Sequence, residues 1–221
     1  MVRSNYEALV SGDGACAGCG EKTVLRAAVS ITEAFMRPIF HAKAKRLSKK
    51  ANELEQNGIA KLEAFQTNNK DEYDWFKKSI GHVILGLGGE NQDDTNYRLN
   101  KHGVITNQEI VNALVAVLKQ DSFNHKDLQA IDGCMPNGMS TMYMGAHTGC
   151  NTVYGSTPPS NPHPYPWMNS LFQDGSTISW LIGESELLNH ARISVVPERL
   201  ATALLERESN LCNEHEYFEH T

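Results

Sequence analysis

The chain has 221 residues, 40% of them hydrophobic, which is enough for one or two domains with a buried core. Its 26 acidic residues outnumber its 20 basic residues, and the formal net charge of −6 at pH 7 disfavours binding to nucleic acids. The sequence contains no apolar run of about 18 residues and no hydrophobic segment in Met1–Val10. We therefore expect a cytoplasmic protein with neither a membrane span nor a signal peptide.

The first predicted helix follows a pair of cysteines, because apolar residues recur at helical spacing between Glu21 and Phe40. A highly charged stretch comes next, and within it apolar residues recur at steps of three and four positions. This stripe consists of Leu47, Ala51, Leu54, Gly58, Leu62 and Phe65. Such a narrow stripe predicts an antiparallel helical hairpin with Gly58 as its weakest point or its turn. A specific partner-binding arm is the alternative.

Two further helices are predicted from their end signals. Thr106 and Glu109 have the spacing of a capping box, which predicts a helix through about Lys119. Pro197 suits the first turn of a last helix that runs to about Leu211.

Two short apolar segments, His82–Leu87 and Leu128–Ile131, are predicted strands. Helices that alternate with short strands predict an α/β fold. We expect three parts: an N-terminal segment with the cysteine pair and its helix (1–41), a charged helical insertion (42–78), and an α/β part (79–221).

The cysteine pair is the sharpest local motif. Cys16 and Cys19 lie three positions apart among small residues, so backbone amides can turn towards the two sulfurs and stabilise thiolate charge. The spacing alone leaves structural zinc, a redox dithiol and an iron–sulfur cluster open.

A third thiolate can come from Cys150, because Gly149 permits a tight turn immediately before it. Three of four metal ligands would then be present. The candidates for the fourth are Cys134, His147, Cys212 and a cysteine outside this chain.

Four elements, in chain order, closely resemble the thiamine-binding region of the pyruvate:ferredoxin (flavodoxin) oxidoreductases, the 2-oxoacid:acceptor oxidoreductase family. They are Gly14–Glu21 (GACAGCGE), Thr148–Cys150 (TGC), Tyr154–Ser160 (YGSTPPS) and Trp167–Asp174 (WMNSLFQD). Each element alone is weakly specific, so the ordered combination carries the resemblance. It favours an iron–sulfur cluster over zinc.

The resemblance implies a thiamine diphosphate-binding-type α/β domain with a mainly helical insertion. The implied ligands of a [4Fe–4S] cluster next to the thiamine are Cys16, Cys19 and Cys150, with a fourth cysteine from further along the polypeptide. The implied thiamine-site residues are Thr148, Asn169 and Phe172.

The implied reaction is the oxidative decarboxylation of a 2-oxo acid such as pyruvate. Thiamine diphosphate with Mg²⁺ would support the decarboxylation, the cluster would accept electrons, and coenzyme A would take the acyl group. The implied partners are ferredoxin or flavodoxin, the remainder of the same enzyme, and further copies in a homo-oligomer.

The chain also departs from the family pattern. Lys22–His147 intervene where family members have a short segment, which agrees with a helical insertion. The family's magnesium motif is missing after Trp167–Asp174, and Gly12–Gly14 (GDG) lacks the asparagine that should follow about thirty residues later. We therefore expect part of a larger enzyme that is inactive alone. The alternative is a noncatalytic metal-binding or protein-interaction module with zinc or free cysteines.

Overall fold

The computed structural model describes residues 20–77, 105–126, 144–146, 167–169, 175–207 and 211. Contacts divide the chain into two compact units. The first unit comprises Met1–Ala44 and Phe123–Glu186, and the second comprises Lys45–Ser122 and Leu187–Thr221. The predicted boundaries after residues 41 and 78 stay predictions.

The longest element is helix α1, Gly20–Asn68. It begins directly after Cys19, as predicted, and it continues without interruption through Gly58. The whole stripe therefore lies on one continuous helix, and the predicted antiparallel hairpin with a turn at Gly58 was wrong. The helix ends at Asn68, and the Asn69 side chain accepts a hydrogen bond from the Glu72 amide at 3.4 Å, which caps a short helix α2 over residues 70–77.

Helix α3, Asn107–Lys126, begins with the predicted capping box. The Glu109 amide donates to the Thr106 hydroxyl at 3.2 Å, and the Thr106 amide donates to the Glu109 carboxylate at 2.7 Å. The helix runs about two turns beyond its predicted end at Lys119.

The last helical run has three consecutive parts: helix α4 at Gly175–His190, a π-helical turn at Ala191–Val195, and helix α5 at Val196–Glu206. Pro197 lies in the first turn of α5, as predicted, where its missing amide hydrogen costs no helical bond. The run ends at Glu206, and the Arg207 backbone that follows is extended, so the helix stops before its predicted end at about Leu211.

The predicted helical stripe of α1 is confirmed as part of the core of the second unit. Its larger side chains are at most 3% exposed, and they pack in one cluster with apolar side chains from α3 and α5. The shared core includes Leu47, Leu54, Leu62, Phe76, Ile110, Leu114, Leu118, Leu200, Leu204 and Leu211.

Charged contacts join α1 to α5 at the edge of this core. The Glu198 carboxylate accepts a hydrogen bond from Arg46 Nε at 2.6 Å and lies 3.5 Å from Lys50 Nζ. The hydrogen bond to Glu198 raises the pKa of the Arg46 guanidinium above its ordinary value. Lys50 also donates to the Thr202 hydroxyl.

The described strands are β1, Met144–Ala146, and β2, Trp167–Asn169, which pair in parallel with each other. Nearly all other described residues are helical. The expected α/β class is therefore wrong, because the described part of the chain is a helical bundle and this short pair provides no layer on which helices could pack. The predicted strands His82–Leu87 and Leu128–Ile131 lie outside the described residues. Among the described helices, none has the length and apolar character needed to cross a membrane.

Candidate functional site

Of the residues predicted to form the thiamine and cluster site, Asn169 lies within the described part of the chain. It is the last residue of β2. The other five lie outside the described residues: Cys16, Cys19, Thr148, Cys150 and Phe172. The candidates for a fourth cluster ligand within this chain also lie outside: Cys134, His147 and Cys212.

The register of the strand pair relates two of the four motifs. Met144 pairs with Trp167, and Ala146 pairs with Asn169. Because the strands are parallel, the chain leaves both of them at the same edge, with neighbouring strands about 4.8 Å apart. The TGC motif begins two residues after Ala146, and the rest of the NSLF segment follows Asn169 directly. Ala146 and Asn169, the last residues of the two strands, therefore lie side by side.

Two of the four motif segments are each followed by the start of a helix. Helix α1 starts at Gly20, immediately after Cys19, and carries Glu21 in its first turn. Helix α4 starts at Gly175, immediately after the WMNSLFQD element. The amino terminus of a helix carries partial positive charge and free backbone N–H groups, which favour thiolates and other anions nearby.

Buried polar side chains that the sequence reasoning did not single out lie on α3 and on the π-helical turn. Asp121 and His125 are each 2% exposed, and Ser194 is fully buried. All three take part in hydrogen-bonding, electrostatic or ring interactions. Asp121 and His125 lie beyond the predicted end of α3, which is why the sequence pattern did not place them on a helix.

Within the first unit, His125 has an aromatic neighbour. Its ring centroid lies 4.9 Å from that of Phe40, with the rings inclined at 58°. The Arg37 guanidinium carbon lies 5.5 Å from the centroid of the Phe40 ring. Tilted ring pairs and cations over aromatic faces are stabilising contacts, so this cluster is explained by packing.

No protein-family model matches this chain, and no curated protein or solved structure shows significant similarity to it. The family resemblance therefore depends on the four ordered motifs alone.

In the part of the chain that the structure describes, no three His, Cys, Asp or Glu side chains come together as metal ligands. The predicted cluster ligands lie outside that part. The geometry bearing on the predicted site is thus the strand register and the two helix starts.

Proposed function

We propose that this chain provides part of the cluster site and part of the thiamine pocket of a 2-oxoacid:acceptor oxidoreductase. The observation that carries the proposal is the parallel pairing of Ala146 with Asn169. It supports the proposal because the TGC and NSLF motifs, separated by some twenty residues in sequence, then leave the strand pair at one edge.

The donor set fits an iron–sulfur cluster. Cys16, Cys19 and Cys150 offer thiolates, which bind iron well, whereas Mg²⁺ prefers oxygen ligands. The start of α1 directly behind Cys19 favours the charged form of the nearby sulfurs. A bound cluster would supply one-electron transfer, and a fourth thiolate would complete its coordination.

The proposed thiamine residues have separate roles in holding a heterocyclic ligand. Phe172 offers an aromatic surface, while Asn169 and Thr148 offer hydrogen-bonding groups that orient the ring. Bound thiamine diphosphate would stabilise the negative charge that develops when the 2-oxo acid loses carbon dioxide. The proposal places the enzyme in the cytoplasm, where thiols remain reduced, with ferredoxin or flavodoxin as electron acceptor.

Anaerobic reconstitution with ferrous iron and sulfide tests the cluster. A small thiol in the buffer can occupy the fourth coordination position, so the chain can be examined by itself. We expect a broad visible absorption band and bound iron in the wild-type protein, and loss of both in Cys16→Ala and Cys150→Ala variants.

Cys134→Ala and Cys212→Ala report whether either cysteine supplies the fourth ligand. The matched control is Ser48→Ala, at an exposed position on α1 outside the cysteine motifs, and this variant should keep the band. A wild-type chain that binds no iron under these conditions, or a Cys150→Ala variant with an unchanged spectrum, would show that the three cysteines do not form one cluster site.

A noncatalytic module remains the second candidate function. The observation that favours it is that the described residues form a helical bundle and not the α/β domain that the resemblance implies. In this candidate the cysteines bind zinc or stay free. Metal analysis of the purified chain separates a zinc-binding module from the proposed oxidoreductase, because a zinc site gives stoichiometric zinc and no visible band.

A further inference from the structure

The two faces of the strand pair β1–β2 carry different residue types. Residues two positions apart in a strand lie on the same face of it, and residues paired across neighbouring strands share that face. Trp167 and Asn169 therefore share one face of β2. Their register partners, Met144 and Ala146, lie on the same face of the pair. We call these four residues the Asn169 face.

The Asn169 face combines one amide with apolar residue types. An asparagine amide both donates and accepts hydrogen bonds, which suits the ring nitrogens and amino groups of a heterocycle. Trp167 adds an aromatic ring system, and Met144 adds a polarisable thioether that adapts to the shape of its neighbour. Ala146, the register partner of Asn169, has only a methyl group and so takes up little space beside the amide.

The opposite face and the surrounding sequence contrast with this combination. Gly145 and Met168 occupy the opposite face, and they offer neither an amide side chain nor an aromatic ring. In residues 131–180 the only charged residues are Asp132 and Asp174. A mostly apolar lining with a few placed polar groups is typical of sites that bind heterocyclic ligands. The Asn169 face is therefore the better candidate for contact with such a ligand.

We propose that the Asn169 face forms one wall of the thiamine pocket and that Trp167 binds the thiamine rings beside Asn169. The inference rests on the proposed function, in which Asn169 is a thiamine-site residue, and it adds a binding residue to that pocket. An indole against an aromatic heterocycle gains from offset stacking as well as from burial. An indole offers a donor and no acceptor, so Trp167 orients the ring and accepts no proton.

The spacing of the strand pair fits a ligand of this size. Two residues along a strand span about 6.6 Å, and the neighbouring strand lies about 4.8 Å away. These lengths are comparable to that of one heterocyclic ring with its substituents. A ring that is hydrogen-bonded to Asn169 can therefore cover Ala146 and still reach Trp167.

Tryptophan fluorescence of the full chain tests the proposal. The chain contains three tryptophans, Trp75, Trp167 and Trp180. In the Trp75→Phe/Trp180→Phe variant all tryptophan emission comes from Trp167, and we expect thiamine diphosphate with Mg²⁺ to quench it in a saturable way. The matched control is Trp167→Phe/Trp180→Phe, in which Trp75 alone emits. Trp75 packs against the core of the second unit, so its emission should not respond.

The affinity for thiamine diphosphate, measured by calorimetry, gives a second readout. Trp167→Ala should weaken binding at least about tenfold, because a stacked ring and its buried area are lost. Trp167→Phe keeps an aromatic ring and should bind within about threefold of wild type. Met168→Ala, on the opposite face, is the control and should bind as wild type does. Circular dichroism shows whether each variant keeps its fold.

The outcomes separate this inference from the proposed function. If thiamine diphosphate binds but leaves Trp167 emission unchanged, or binds wild type and Trp167→Ala equally, the assignment of Trp167 is wrong and the thiamine pocket stands. A larger loss in Met168→Ala than in Trp167→Ala would put the cofactor on the opposite face. A wild-type chain that binds no thiamine diphosphate would contradict the thiamine pocket itself, and this inference with it.

Discussion

At Gly58 the backbone of α1 lies so close to α3 that even a methyl group has little room. A Cβ atom at this position would lie 3.0 Å from one γ-methyl of Val111 and 3.2 Å from the other. Val111 is buried and β-branched, and such side chains have one strongly preferred rotamer in a helix. Glycine here serves close packing between helices rather than a turn.

We predict that Gly58→Ala destabilises the protein by about 1 kcal/mol, because the overpacking cost exceeds the gain in helix propensity. In a Val111→Ala background the clash is gone, so the same substitution should stabilise. Urea unfolding of the four proteins in this double-mutant cycle measures both effects. Equal effects of Gly58→Ala in the two backgrounds would show that Val111 is not the constraint.

At the scale of elements, short-range sequence patterns predicted the features that depend only on residues close together in the chain. The stripe from Leu47 to Phe65 repeats at the helical period, so its burial followed from spacing. The capping box at Thr106 and Glu109 is also contained within four residues. These are short-range features, and the structure confirms both.

Elements that depend on distant partners could not be predicted in this way. The turn expected at Gly58 was wrong because the reason for that glycine lies on α3, some fifty residues away. The pairing of Ala146 with Asn169 involves strands of three residues each, too short to give a period-two pattern. Periodicity also predicted the helix that carries Ile31 and Phe35, but the apolar side of that segment is exposed, the reverse of what the pattern indicates.

The capping box also gives the start of α3 a defined pH dependence. Hydrogen bonds from the Thr106 amide, and then from its hydroxyl, hold the pKa of Glu109 below its ordinary value. The folded state therefore favours the ionised Glu109 carboxylate. The contribution of this carboxylate to stability is present above the unfolded-state pKa of about 4.3, and it is lost as the pH falls through the lower pKa that Glu109 has in the folded state.

We predict that Glu109→Gln, which keeps an acceptor but does not titrate, flattens the dependence of unfolding free energy on pH between about 5 and 3. Thr106→Ala should cost about 1 kcal/mol at neutral pH, since it removes the cap itself. Glu63→Gln, at an exposed position on α1, is the matched control and should leave the pH profile as in wild type. An identical profile for Glu109→Gln would show that the cap does not depend on its charge.

At the scale of the whole molecule, one continuous helix belongs to two compact units. Residues 47–65 of α1 place their apolar stripe in the core of the second unit, whereas residues 24–42, in the first unit, expose theirs. Amide exchange is slow where opening requires disruption of a core and fast where a segment opens locally. We therefore expect the two halves of α1 to differ in protection although they form one helix.

Leu204 is fully buried in the core of the second unit, and Leu204→Ala should cost about 2 to 5 kcal/mol. Hydrogen exchange measured by mass spectrometry should then accelerate over residues 47–65 and stay unchanged over residues 24–42. The matched control is Leu188→Ala, at a position 58% exposed, with an expected effect below about 0.5 kcal/mol. Equal acceleration in both halves would mean that the two units unfold as one, because only a single cooperative transition transmits the loss of one core side chain along the entire helix.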